Sequence, residues 1–155
     1  MSEYEIAKWL HILSSTLLFG TGLGSAYYMF FTSLAGDART VAGVVRLVVV
    51  ADWVFTSTTS VFRPLSGLWL AHLAGMPLTS RWLVWTYLLY LVAGACWIPV
   101  VFIQIRMRRL AEAAAAAQAP LPDEYRRLFR WWTALGVPAF VSLVVVFWLM
   151  VAKPA

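Results

Sequence analysis

The sequence predicts an all-α fold, a four-helix transmembrane bundle, and three observations carry that prediction. The 155 residues are 62% hydrophobic and only 12% charged, and their mean hydropathy of +0.78 is far above that of soluble domains. A membrane-crossing helix needs about 20 mostly apolar residues, and four stretches meet that length: roughly 5–32, 41–74, 82–105 and 129–152. The arginines are also clustered. Arg39 and Arg46 lie at the first connection and Arg106, Arg108, Arg109, Arg126, Arg127 and Arg130 at the third, against Lys8, Arg81 and Lys153 on the opposite side. Positively charged loops stay cytoplasmic, so the expected topology has both termini outside, in a bacterial inner membrane. The net charge of +5 follows from that topology; the partner is the lipid bilayer, and nucleic acid is not indicated.

The first helix, 5–32, begins beside Glu3 and Glu5 and runs apolar for longer than a signal peptide does, so it is expected to be retained as a span. Its Gly20-Thr21-Gly22-Leu23-Gly24 run is not a nucleotide loop, because that motif needs a strand before it and a turn into a helix after it. At about 100° per residue, His11, Ser14, Ser15, Leu18, Gly22, Ser25 and Met29 share one face. His11 thus heads a small-residue groove that admits a neighbouring backbone or a flat ligand.

The second helix, 41–74, is too long for a straight crossing of a hydrocarbon core about 30 Å thick, so it is expected to tilt, protrude or bend, with Pro64 and Gly67 supplying a kink. It carries a polar stripe, Asp52, Thr56, Thr59 and Arg63, whose spacing keeps all four on one face. Asp52 and Arg63 are about 16 Å apart along the axis, so each needs a partner elsewhere. Gly75-Met76-Pro77 ends the helix in a short outer turn.

The third helix, 82–105, contains Pro99 and the one cysteine, Cys96, which excludes a disulfide framework. The expected cytoplasmic connection, 106–128, includes an alanine-rich run stopped by Pro120 and Pro122, then an amphipathic Asp123–Trp132 segment against the acidic leaflet. The fourth helix, 129–152, completes a single domain spanning 1–155. Trp9, Trp82, Trp85, Trp131, Trp132 and Trp148 fall near span ends as interfacial anchors, while Trp53, Trp69 and Trp97 lie deeper.

The candidate chemistry rests on two imidazoles. His11, near the start of the first helix, and His72, near the end of the antiparallel second, are expected at matched depth below the outer surface. Ionisable residues inside a span are rare and usually functional, and a pair of axial histidines is one way to hold b-type haem between helices. On this reading His11 and His72 are the metal ligands, Ser15 and Gly22 leave room for the macrocycle, Trp69 packs against it and Arg63 meets a propionate. The function is then electron transfer at the outer side, between a donor such as a quinol and an acceptor, which would make the chain an oxidoreductase. Copper, with His11, His72, Met76 and Met29 as soft ligands, is the weaker reading because Met29 lies about 27 Å down the helix from His11. The alternative class is a non-catalytic membrane subunit or small transporter without cofactor, in which each histidine hydrogen-bonds a neighbouring helix and the polar stripe lines an interface or path. A homo-oligomer or a larger membrane complex stays open.

Three stretches carry a resemblance over nearly the whole chain: KWLHILSSTLLFGTGLG, RPLSG and RWLVWTYLLYLVAGACWIPVVFIQIRMRRLA. They resemble the uncharacterised bacterial membrane family called domain of unknown function 2269, which implies a fold and no activity. More loosely, the first-helix histidine with its glycine-containing face is similar to HemJ-type protoporphyrinogen oxidases and CopD-like copper-resistance proteins. The HemJ resemblance implies a b-haem and porphyrinogen oxidation, with His11 in the place of that family's first-helix histidine. The Trp-Leu-x-x-Lys typical of that family reads here Trp82-Leu83-Val84-Trp85-Thr86, without the lysine.

Overall fold

The computed structural model describes residues 1–154 and consists of four helices: α1 (Glu3–Ala35), α2 (Ala38–Leu73), α3 (Arg81–Ala116) and α4 (Asp123–Ala152). Each boundary has a local cause. Ser2 caps α1 and forms a capping box with Glu5, through bonds of 2.7 and 3.3 Å. Gly36, at φ 76°, ends it in the left-handed conformation that glycine adopts without a steric penalty. One residue later the Asp37 carboxylate caps α2 through Thr40, at 2.8 Å to its N–H and 2.5 Å to its hydroxyl. A connection this short forces α1 and α2 antiparallel.

All four helices are longer than the sequence pattern implied. α3 continues eleven residues past 105 to Ala116, and α4 begins at Asp123 rather than 129, so the expected cytoplasmic connection 106–128 shrinks to residues 117–122. The alanines favour helix, and Ala111, Ala114, Leu121 and Tyr125 gain a buried surface to pack on. α2, α3 and α4 are long and apolar enough to cross a membrane. α1 has the length, at 33 residues, but its serines, threonines, glycines and tyrosines dilute its apolar character.

α2 departs from α geometry at Asp52–Thr56, one turn of π-helix, and not at Pro64, which sits inside the helix. Such turns insert one residue into a helix and occur often at functional sites. The stripe Asp52, Thr56, Thr59 and Arg63 is buried along its whole length.

The helices pack in chain order around a ring. α3 and α4 make the most extensive pairing. α2 leans on α3 and α1 over Ala38–Ala51 and on α1 over Ser57–Leu73. α1 and α4 barely touch. The end carrying the 36–37 and 117–122 connections, the arginine end, holds a continuous apolar core of Met29, Val41, Val45, Met107, Ala111 and Tyr125 with their neighbours. The end carrying both termini buries a different set: His11, Ser14, Ser15, Arg63, Ser66 and Thr86.

Candidate functional site

Because α1 and α4 close the ring weakly, the bundle is open on that side. The gap between them leads into a cavity of about 610 Å³ walled by all four helices. Two aromatic contacts bound it: Phe19 stacks on Phe140 at 5.4 Å towards the terminal end, and Phe30 meets Phe129 at 5.4 Å towards the arginine end. Between them Leu23, Tyr27 and Val137 line the gap and are exposed. One glycine from each of three helices, Gly22, Gly94 and Gly136, lines the interior, and a Cβ on any of them would meet nothing within 4 Å. The cavity therefore exists because side chains are missing from those three walls. A volume of this size lies within the range of small-molecule sites, about 300–1,000 Å³.

Its walls are mostly apolar; Asp52, Thr56 and Ser60 on α2 with Tyr90 and Gln104 on α3 form one polar edge, and Ser25 and Tyr27 on α1 and Thr133 on α4 add scattered hydroxyls. Asp52 is 6% exposed; its Oδ1 accepts from the Thr56 hydroxyl at 2.9 Å, and Gln104 approaches the same carboxylate. The Ser60 hydroxyl donates to the Thr56 carbonyl, and the Tyr90 hydroxyl to the Ser60 carbonyl at 2.7 Å.

A second polar cluster lies one to two turns nearer the terminal end. His11 is buried between α1 and α2, with Nδ1 2.8 Å from the Ser66 hydroxyl oxygen. The Ser66 hydroxyl also lies 3.0 Å from the Arg63 carbonyl; when it donates there, His11 Nδ1 is the donor to Ser66. Gly67 is the close approach beneath the imidazole: a Cβ there would lie 3.4 Å from His11 Cε1. In the sequence that glycine suggested a partner for a proline kink; in the fold it is the surface on which His11 rests.

Arg63 is 2% exposed and meets no carboxylate. Its guanidinium lies 4.6 Å from the centre of the Phe147 ring and 5.9 Å from that of Tyr90, and Nη2 points at the Met150 sulfur at 3.8 Å. Nε and Nη1 are buried without a hydrogen-bond partner.

The remaining sequence-selected residues are dispersed. His72 is exposed and lines a surface groove with Leu68, Trp69 and Met76. Six residues separate it from Ser66, which turns it about 240° and moves it about 9 Å along the axis from the residue His11 touches. His11 and His72 therefore do not converge. Ser15 donates to the His11 carbonyl at 2.7 Å, so its hydroxyl is turned to its own helix. Trp69 donates from Nε1 to Glu3 at 3.2 Å, tying the start of α1 to the end of α2. Gly22 alone of the set lines the large cavity. Of the four soft copper ligands, His72 and Met76 share the surface groove, while His11 is buried elsewhere and Met29 is in the arginine-end core. Among the described residues no three His, Cys, Asp or Glu side chains gather at one point. The cavity leaves no mark in the sequence, since Gly22, Gly94 and Gly136 come from three separate helices and only packing brings them together.

No curated protein and no solved structure matches the chain, and the comparisons lend no support to a link with the HemJ-type or CopD-like proteins. Residues 5–154 match the model of a family described as predicted integral membrane protein (DUF2269). The chain belongs to that family.

Proposed function

We propose that this member of the DUF2269 family is a four-span protein of a bacterial inner membrane, termini outward, that takes a bilayer-soluble molecule into its lateral cavity. The observation that carries the reading is the cavity itself: about 610 Å³, apolar on nearly every side, bounded at both ends by aromatic pairs and open between α1 and α4. A molecule dissolved in lipid enters such a gap sideways without crossing water. The single polar edge, Asp52 to Gln104, then orients it, as the few polar groups of an otherwise apolar pocket do. No resident cofactor is needed, which makes the chain a binding subunit or small carrier. The arginines at the two connections support the orientation.

Filling the cavity tests this directly. Gly94→Leu and Gly136→Leu are expected to leave the fold intact, since a Cβ at either position meets nothing within 4 Å. Both are expected to abolish uptake of a neutral fluorescent lipophile such as N-phenyl-1-naphthylamine by the purified protein. Undiminished uptake in both variants would sink the proposal.

One observation favours a second reading, in which b-type haem binds at the other cluster. His11 has its Nδ1 held by Ser66, and a hydrogen bond to one ring nitrogen is what orients a metal-ligating histidine. His11 fits as a ligand; His72, exposed on another face, does not fit as its axial partner. Haem bound there would supply electron-transfer chemistry, while Ser66 would fix the imidazole tautomer and ring orientation. That reading predicts a Soret band in protein from haem-supplemented cells, lost in His11→Ala and kept in His72→Ala.

A further inference from the structure

Resting on the cavity reading, we propose that the molecule taken up is a lipophilic cation: an apolar body with one ammonium- or phosphonium-type charge, bound by the Asp52 carboxylate in exchange for a proton. The hydroxyl donors along the polar edge are already committed. The Thr56 hydroxyl proton goes to Asp52 Oδ1, the Ser60 proton to the Thr56 carbonyl and the Tyr90 proton to the Ser60 carbonyl. A hydroxyl has one proton to give, so these three donors are all occupied by protein acceptors. What the edge turns to a ligand is the carboxylate. The donors left on the wall, the Gln104 amide and the Tyr27 hydroxyl, are neutral, so nothing there offsets the charge of an anion.

The carboxylate has no counter-charge of its own. Among the described residues the salt bridges are Arg106–Glu124 and Arg108–Glu112, both away from Asp52. The titratable groups of the cavity wall are Asp52, Tyr27 on α1 and Tyr90 on α3; α4 contributes none. Of the nearby charged groups, Arg46 on α2 and Arg130 on α4 are exposed, Arg106 on α3 is held by Glu124, and Arg63 is about 16 Å along α2. A carboxylate enclosed by apolar walls is costly as a bare anion, so it carries a proton or is neutralised by a cation that the ligand brings. The remaining walls suit such a ligand, because Tyr27, Tyr90, Trp97 and Trp132 offer aromatic surface, which attracts a desolvated cation. A bare metal ion finds one carboxylate there in place of six or more oxygens. The exchange balances: the protonated Asp52 and a free cation become an ion pair and one released proton, with no redox step.

The test uses the full-length protein in nanodiscs, with tetraphenylphosphonium as the cationic probe and N-phenyl-1-naphthylamine as the neutral one. Tetraphenylphosphonium is expected to bind with release of up to one proton, and its affinity to rise as the pH rises, by up to about tenfold per unit. Asp52→Asn is expected to lose about tenfold or more in tetraphenylphosphonium affinity and all of the proton release, yet to keep the neutral probe, which certifies its fold; Asp52→Glu keeps both probes. If Asp52→Asn does not fold, the pH dependence and proton release of the wild type carry the test alone. If the neutral probe binds and is expelled by Gly94→Leu while tetraphenylphosphonium fails to bind, or binds without proton release, the cation assignment is overturned and the cavity reading stands. If neither probe binds, both fall.

Discussion

The two ends of the bundle bury different mixtures of side chain: the terminal end sets His11, Ser14, Ser15, Arg63, Ser66 and Thr86 among apolar residues such as Ala71, Leu83 and Val146, and the arginine end is almost wholly apolar. At the arginine end the interior is Met29, Val41, Val45, Met107, Ala111 and Tyr125 with their neighbours, apolar but for the Trp132 indole N–H and the Tyr125 hydroxyl, which meets Ser33 at 2.7 Å. At the terminal end, helix is joined to helix by His11 on Ser66, Tyr90 on Ser60 and Trp69 on Glu3. On the proposed topology the stretch of α3 from 106 to Ala116 lies beyond the expected span, on the water side, where burying apolar surface is favourable. Within lipid that driving force is absent, and small residues and hydrogen bonds hold helices together instead. On that topology part of the arginine-end core packs as a soluble core does, and the cavity lies between the two ends, touching Val100 and Trp132 of that core.

The largest expected effect exploits that contrast. Met107 is fully buried in the arginine-end core, and Met107→Ala should cost about 2–5 kcal/mol, the usual range for emptying a packed apolar site. Leu83, 5% exposed at the terminal end, should cost clearly less when cut to alanine, because detergent or lipid replaces the lost contacts at little penalty. Unfolding both variants in the same detergent gives the comparison. Equal losses would mean that the two ends are packed alike.

That asymmetry explains what could be read from the chain. Four helices follow from apolar run lengths, and the face shared by His11, Ser14, Ser15 and Leu18 is indeed inside, because a 3.6-residue period fixes which side chains face one way. The helix ends were less legible. Residues 106–116 looked like a polar connection because arginines interrupt the apolar run, whereas helix stops are set by residues such as Pro120 and Pro122 and charged residues do not break helices. The π turn at Asp52 carries no sequence mark, and the lateral cavity depends on which helices fail to touch. The expected pairing of His11 with His72 assumed that equal depth brings two side chains together. Depth fixes one coordinate; the angle around α2 fixes another, and it turns His72 to the surface.

Arg63 sharpens the comparison from the polar side. A buried guanidinium without an anion is uncompensated, and replacing buried charge with an apolar side chain of similar size is often neutral or stabilising by about 1–4 kcal/mol. Arg63→Met should therefore leave thermal stability unchanged or raise it, unlike Met107→Ala. A loss of stability would instead identify an acceptor bound to Nε and Nη1. Ser66→Ala is a smaller change, of about 1 kcal/mol, with a spectroscopic signature: the ¹⁵N shifts of His11 should show a protonated Nδ1 in the wild type and a mixture of tautomers in the variant.

The smallest effect belongs to the turn at the arginine end, where Asp37 is exposed. The Asp37 carboxyl is held below its ordinary value by hydrogen bonds from the Thr40 hydroxyl and backbone N–H. A carboxyl with a depressed folded-state value stabilises the fold above its unfolded value, and that contribution is lost as the pH falls through the folded one. Full exposure keeps it small. A Tm series on wild type and Asp37→Asn should accordingly show a gap at neutral pH that closes between about pH 5 and pH 3, the range in which an aspartate titrates. The Met107→Ala gap should not close in the same way, because no charge is involved there. An Asp37→Asn gap unchanged down to pH 3 would mean that the cap acts through shape alone.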